Sequence, residues 1–120
     1  MKPDSIDHII GLTDQDISHT NYAADGTIKE PRSKYHDFEI LGSGYVNGPS
    51  CVISSFRLGD DSEQRSFDRL CKITVHEVGH NVGLPHCPEQ HCVMRDAVER
   101  IASIDALQRS VCAKCWKRID

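Results

Sequence analysis

No stretch of the chain is apolar enough to cross a membrane or to serve as a secretory leader; the opening run MKPDSIDHIIG soon turns polar. A cytoplasmic location is the expectation that follows. No basic block occurs either: 14 Lys and Arg face 18 Asp and Glu, for a net charge of −4. That balance argues against nucleic acid or an anionic membrane surface as a partner. Aromatic residues are scarce, at 6% within an apolar total of 38%. A single domain of 120 residues built from so little has a thin core and needs further fastening. Repeats and low-complexity tracts are missing as well.

Cysteine, by contrast, is plentiful, with six in the chain. An even count in a secreted chain would read as disulfides. With no leader, and with four of the six in two closely spaced pairs, metal binding is the better reading. Cys51 and Cys71 stand outside that spacing. They read as buried, small apolar residues, with a disulfide between them as the lesser alternative.

Residues 6–13 (IDHIIGLT) have the composition of a short buried strand, ended by Asp14. His8 within it reads as an edge-facing residue rather than a ligand. Residues 14–37 are polar, with Asn21, Asp25-Gly26, Pro31 and Ser33, and read as one long loop in which His19 and His36 are exposed. Two strand-like runs follow, 38–46 (FEILGSGYV) and 51–58 (CVISSFRL), divided by the turn signal Asn47-Gly48-Pro49. Glycines at 42 and 44 suit the first run to a sheet edge that another backbone approaches closely. The second, richer in β-branched residues, belongs inside the sheet.

At Gly59-Asp60-Asp61-Ser62 a helix opens, with either aspartate as cap and Glu63 or Gln64 completing a capping box. Along it Phe67, Leu70, Cys71, Thr74, Val78 and Val82 make an apolar stripe expected to pack on the sheet. Residues 87–94 (CPEQHCVM) form a compact loop. The spacing of Ile104, Leu107, Val111 and Cys115 then predicts a helix over 104–119. Trp116 is expected to pack that helix onto the domain, a partner-binding role being the alternative.

The chemistry sits in residues 76–86, HEVGHNVGLPH. His76 and His80 stand one turn apart on a face nearly opposite the apolar stripe, where a purely structural helix would place solvated residues. Two imidazoles so stacked can hold one metal ion. Glu77 can reach a water on that ion without having the spacing of a third ligand. Gly83 lets the chain turn where the helix ends, and His86 can then return to the same metal. Three neutral imidazoles, a base and an open position make a hydrolytic zinc site.

Cys87, Cys92, Cys112 and Cys115 follow at once, two short-spaced thiolate pairs that suit a tetrahedral four-cysteine zinc site. The alternative is a redox pair at Cys112 and Cys115, which would ordinarily open a helix after a strand; no strand is evident before it. His91, between the cysteines, is placed to compete for zinc but is expected to be exposed.

The extended pattern HExxHxxGxxH resembles that of the metzincin clan of zinc endopeptidases. Joined to the cysteines as HExxHxxGxxHCx4CxMx17CxxC, over residues 76–115, it is similar at every fixed position to the archaemetzincins. The resemblance implies an α+β fold: a small twisted mixed sheet on a long active-site helix, then a zinc-fastened C-terminal subdomain ending in a helix. It implies one catalytic domain over 1–120, with residues 1–83 as its upper part and 84–120 as its lower part. Two zinc ions are implied, a catalytic one on His76, His80 and His86 and a structural one on Cys87, Cys92, Cys112 and Cys115. Met94 becomes the Met-turn floor beneath the catalytic metal; alone it would read as core filler. Leu41, Gly42, Ser43, Gly44 and Tyr45 would form the sheet edge to which a peptide or protein substrate adds as a strand.

Archaemetzincins also carry further strands and a helix before the strand at 6–13, for which this chain has no room. The expectation is a chain that lacks its N-terminal part or is a reduced member. An open sheet face would then be filled by that part or by self-association. The function implied is a zinc metallopeptidase in which Glu77 takes a proton from water as it attacks a peptide carbonyl. The alternative is a zinc-stabilised binding or regulatory domain with little turnover, and an intact Glu77 favours the enzyme. A zinc-ribbon nucleic-acid binder fails on charge, since Lys114, Lys117 and Arg118 make only a local basic patch on an acidic chain.

Overall fold

The structure, a computed structural model, describes residues 8–19, 25, 38–96 and 101–119. Its elements run β1 (Ile9–Thr13), β2 (Ile17–His19), β3 (Phe38–Ile40), β4 (Gly42–Gly44), β5 (Ser50–Ser54), α1 (Glu63–Asn81), α2 (Ile101–Asp105) and α3 (Ala113–Arg118). The β-branched run takes the central place expected of it. β5 lies between β1, to which it is parallel, and β4, to which it is antiparallel. The sheet is therefore small and mixed. Leu12 pairs with Ile53, while Gly42 and Gly44 pair with Ile53 and Cys51 from the other side.

Several expectations need correction here. β5 stops at Ser54, because the N–H of Leu58 turns back to Ser55 O at 3.1 Å and that of Phe56 to Ser54 Oγ at 3.2 Å. The run 38–46 is two strands, broken at Leu41, whose side chain is buried. β3 pairs with β2 in a separate antiparallel ribbon, whereas β4 joins the main sheet. Residues 14–37 are thus not one loop, since β2 occupies part of them. Ile6 and Asp7, and the exposure expected of His19 and His36, lie outside what is described. His8 is exposed.

β1 is a strand but not a buried one. Ile9, Ile10 and Leu12 are all exposed, Leu12 to 64%. The cause is position: β1 is an edge, and α1 packs over β5 and β4. A groove of about 440 Å³ opens where Leu12 and Ile53 face Leu70 of α1.

Helix α1 begins later than either aspartate would start it, by one residue for Asp61 and two for Asp60. Ser62 caps it, its Oγ accepting the Arg65 N–H at 3.2 Å, while Asp60 accepts the N–H of Ser62 itself at 2.9 Å. The face that α1 buries is not the expected apolar stripe. Ile73, His76, Glu77 and His80 are buried instead, at three- and four-residue spacing. Leu70 and Val78 of the stripe do pack on the core, but Phe67 and Val82 are exposed. A narrow sheet cannot cover both flanks of a helix. The flank it covers is the one on which β4 sits, where Cβ atoms on Gly42 would meet Ile73 and Glu77 at 3.1 Å.

Among the described residues, two apolar clusters hold the fold. One joins Leu41, Cys51, Ile53, Leu58, Ile73 and Ile104; the other joins Leu84, Cys87, Cys92, Val93, Met94 and Cys115. Cys51 is buried as expected, Cys71 only partly, and both are free thiols. The helix predicted over 104–119 is in fact two short ones, α2 and α3. Between them the chain leaves the helical path so that Ser110 O can accept the Val93 N–H at 3.4 Å and Cys112 can approach Cys92. Arg69 and Lys72 clamp α2 onto α1: Arg69 donates to both Asp105 oxygens at 2.9 and 2.7 Å, and Lys72 Nζ to Ile104 O at 3.2 Å.

Trp116 does not pack α3 onto the domain. It is 69% exposed and lines, with Val75, Val78, Val82 and Val111, an apolar groove of about 610 Å³. Among the described residues, no helix is long and apolar enough to cross a membrane.

Candidate active site

His76 and His80 lie on the buried face of α1, one turn apart, with ring centroids 4.7 Å from each other. Each Nδ1 sits 2.7 Å from a backbone carbonyl, Val93 O for His76 and Leu84 O for His80. A carbonyl only accepts, so Nδ1 carries the proton and Nε2 keeps its lone pair; the tautomer is assigned from these partners. The two Nε2 atoms are 3.1 Å apart. Burial lowers the pKa of His76 to about 4 and lowers that of His80 as well, so both imidazoles are neutral at pH 7.

The chain then reverses through Gly83, whose φ of +106° is a left-handed value suited to glycine. The Gly83 N–H bonds to His80 O at 3.0 Å and the Leu84 N–H to Gly79 O at 2.9 Å, which is the Schellman pairing of a helix end. That reversal brings His86 back, its ring centroid 5.3 Å from that of His76 and 4.8 Å from that of His80. One ligand nitrogen from each of the three lies within 4.8 Å of the others. Zinc–nitrogen bonds of about 2.0–2.1 Å put tetrahedral corners roughly 3.3 Å apart. The paired Nε2 atoms fit that spacing.

Glu77 is buried beneath β4, its Oε1 4.0 Å from His76 Nε2. Burial pushes its pKa up to about 7, so its carboxyl exchanges a proton near neutrality. Of the five residues proposed from sequence as a substrate edge, Gly42, Ser43 and Gly44 do form the edge strand β4. Leu41 belongs to the core, and Tyr45 is exposed. Asn81, which sequence reasoning missed, ties down the turn beyond β4: its Nδ2 donates to Tyr45 O at 3.1 Å and Ser50 O at 3.0 Å. A polar residue on the buried face of a helix was the available signal.

Met94 is fully buried under α1, its sulfur packed where a Cβ on Gly79 would have to sit. Gly79 also escaped the sequence reading. A glycine inside a helix costs about 1 kcal/mol relative to alanine, which marks it as a position with a packing reason.

Below the histidines, the four expected thiols converge. Cys87 and Cys112 sulfurs are 3.8 Å apart, as are those of Cys92 and Cys115, and all four lie within 4.8 Å of one another. Zinc–thiolate bonds of about 2.3 Å put tetrahedral corners about 3.8 Å apart. The backbone N–H groups of Met94 and Cys112 point at Cys92 Sγ, at 3.5 and 3.3 Å, as donors would toward a thiolate. Burial pushes the Cys115 and Cys92 thiols up, and the backbone N–H of Cys115 pulls Cys112 down to about 7. The Cys87 N–H bonds to Met94 O at 2.9 Å, so the two donor clusters share one loop. His91 is exposed, its Nδ1 facing Ala106 O at 3.2 Å, and stands apart from both clusters.

Known proteins share this fold. The chain is 32% identical over 89 residues to the archaemetzincin of Halobacterium salinarum, a match covering 67% of this chain and 51% of that protein. It also resembles the crystal structure of archaemetzincin from Archaeoglobus fulgidus, with a TM-score of 0.73 and 31% identity over 95% of this chain and 61% of that one. For the Methanopyrus kandleri archaemetzincin the TM-score is 0.75 and the identity 28%, over 99% and 57% of the respective chains. The chain spans about half the length of the curated relatives it matches. Because the family match itself extends along residues 1–120, through sheet, helix and both donor clusters, the chain belongs to Peptidase family M54.

Proposed function

We propose that this chain is a zinc metallopeptidase domain that hydrolyses peptide bonds, with Glu77 as general base. One observation carries the reading: three imidazole donors and a buried carboxyl meet beneath β4, an edge of the sheet among the described residues. His76, His80 and His86 would hold the catalytic ion, and Cys87, Cys92, Cys112 and Cys115 a structural one. When bound at the histidines, zinc supplies Lewis acidity toward a water and a carbonyl. Glu77 takes the proton of the attacking water and returns it to the leaving amine. The open edge of β4 binds the substrate main chain as an added strand, aligning a peptide or protein above Glu77. Gly83 sets the turn that returns His86, and Met94 packs beneath the ligand pair.

Among the described residues β1 is an edge of its sheet, and its IIGLT carries no charge or proline. It is where a second copy would add by strand pairing, and sedimentation across a range of concentrations reads that association directly. For activity, the test compares wild type with Glu77→Gln on a broad peptide library, with metal content measured for both. The expected result is two zinc ions per chain in each protein and cleavage by wild type only. Equal inertness of the two would transfer the assignment to a zinc-stabilised binding or regulatory domain.

A further inference from the structure

The three imidazoles are held unequally. His76 and His80 are buried, and a backbone carbonyl fixes each Nδ1 at 2.7 Å. His86 is 46% exposed, and among the described residues no carbonyl holds it. The group facing its Nδ1 is a carboxylate, Asp96 Oδ1, at 3.8 Å. That distance is beyond a formed hydrogen bond, but both side chains stand at the surface and are free to close it. The placement follows from the loop. Residues 93–96 pass under the cluster, Val93 offering its carbonyl to His76 and Asp96 its side chain to His86. Asp96 and His86 share the wall of a cavity of about 450 Å³ with Arg95 and Pro88.

We propose that Asp96 is the positioning residue of His86, accepting its Nδ1 proton so that Nε2 is turned toward His76 and His80. The inference rests on the reading of these histidines as one metal site. A carbonyl orients an imidazole, whereas a carboxylate also makes it a stronger donor and supplies a negative charge beside a dication. The least buried of the three donors, otherwise free to rotate, is thus the one given the charged partner. As an ordinary surface ion pair, Asp96–His86 would contribute next to nothing. Its weight lies in fixing the ligand.

The test measures zinc affinity of the full chain by chelator competition, in wild type, Asp96→Ala, Asp96→Asn and Asp96→Glu. Cobalt(II) absorption distinguishes the histidine cluster from the four-cysteine cluster, whose thiolate bands serve as internal control. The expected result is a loss of about 10–100-fold at the histidines in Asp96→Ala, with the cysteine cluster unchanged and Asp96→Glu recovering part of the loss. The nitrogen-15 resonance of His86 Nδ1 should shift in Asp96→Ala while those of His76 and His80 stay. Equal affinity in wild type and Asp96→Ala overturns the inference and leaves the metal site standing. Parallel loss at both clusters also overturns it, since Asp96 would then support the fold rather than His86. Failure of wild type to take up any metal at the histidines overturns the site reading and this inference with it.

Discussion

Gly44 passes so close over Glu77 that a Cβ there would lie 3.1 Å from both the backbone oxygen and Oε2 of Glu77. Gly42, two residues earlier on the same face, would bring a Cβ to 3.1 Å from Glu77 Cγ. The glycines of β4 therefore admit a close neighbour, and it is α1: the Glu77 side chain at both positions and the Glu77 backbone oxygen at Gly44. Their small size lets the edge strand lie close against Glu77, adding to the burial that raises its pKa to about 7.

Gly44→Ala is expected to lift β4 from α1. The new methyl would also meet Cys51 Cβ at 3.0 Å, and Cys51 is itself buried. Overpacking of this kind costs about 1–3 kcal/mol. Denaturant unfolding should show a loss in that range, and amide exchange should quicken across the paired residues Ser43 and Val52. Wild-type stability with unaltered exchange would contradict the close approach.

Gly79→Ala sets two effects against each other. Helix propensity favours alanine by about 1 kcal/mol, but the added Cβ falls on the buried sulfur of Met94. Overlap with a buried neighbour costs about 1–3 kcal/mol, so a net destabilisation is expected. In a Met94→Ala background the overlap is gone and the same substitution should become neutral or stabilising. A double-mutant cycle measures this change of sign.

Acid should loosen α2 from α1. The hydrogen bond from Arg69 of α1 holds Asp105 of α2 below the ordinary carboxyl value of 3.8. A depressed folded pKa means stability that is fully present above the unfolded value, about 3.9, and is lost as pH falls through the folded one. The contribution is thus intact at neutral pH and fades below about pH 4. Asp105→Asn should lower the urea midpoint at pH 7 and bring it closer to wild type at pH 3. A constant difference between the two proteins across that range would sink the assignment.

Metal removal should act unevenly. The second apolar cluster counts Cys87, Cys92 and Cys115 among its members, so its packing depends on four thiols staying together. Structural zinc contributes folding free energy outright. Hydrogen exchange after chelation should rise first in residues 84–96 and 107–119. The β4–β5 ladder and its cluster around Ile53 and Ile73 should hold longer. Uniform loss of protection would show one cooperative unit instead.

Much of the site was legible because it is written in short-range spacing. Two histidines four apart must share a helix face, a glycine at position 83 permits the left-handed turn that ends the helix, and closely spaced cysteine pairs are nearly adjacent before any folding occurs. Backbone geometry alone brings each of these groups close to its partners. The central position of β5 was legible for a similar reason, since β-branched residues suit a strand enclosed on both edges.

The rest turned on contacts between residues distant in sequence, which no local pattern encodes. Which flank of α1 is covered depends on where β4 lies, so Phe67 and Val82 of the apolar stripe are exposed while Ile73 and Glu77 are buried. β2 exists only because 38–40 come back to pair with it. The helical pattern over 104–119 yields to the convergence of Cys112 and Cys115 on Cys87 and Cys92, which leaves Trp116 outside. The carbonyl behind His76 and the carboxylate beside His86 likewise come from a loop that meets the helix only on folding. Residue types and spacing thus name the donors, because donor chemistry is local. Their orientation and burial belong to the tertiary structure, because each needs a partner from elsewhere in the chain.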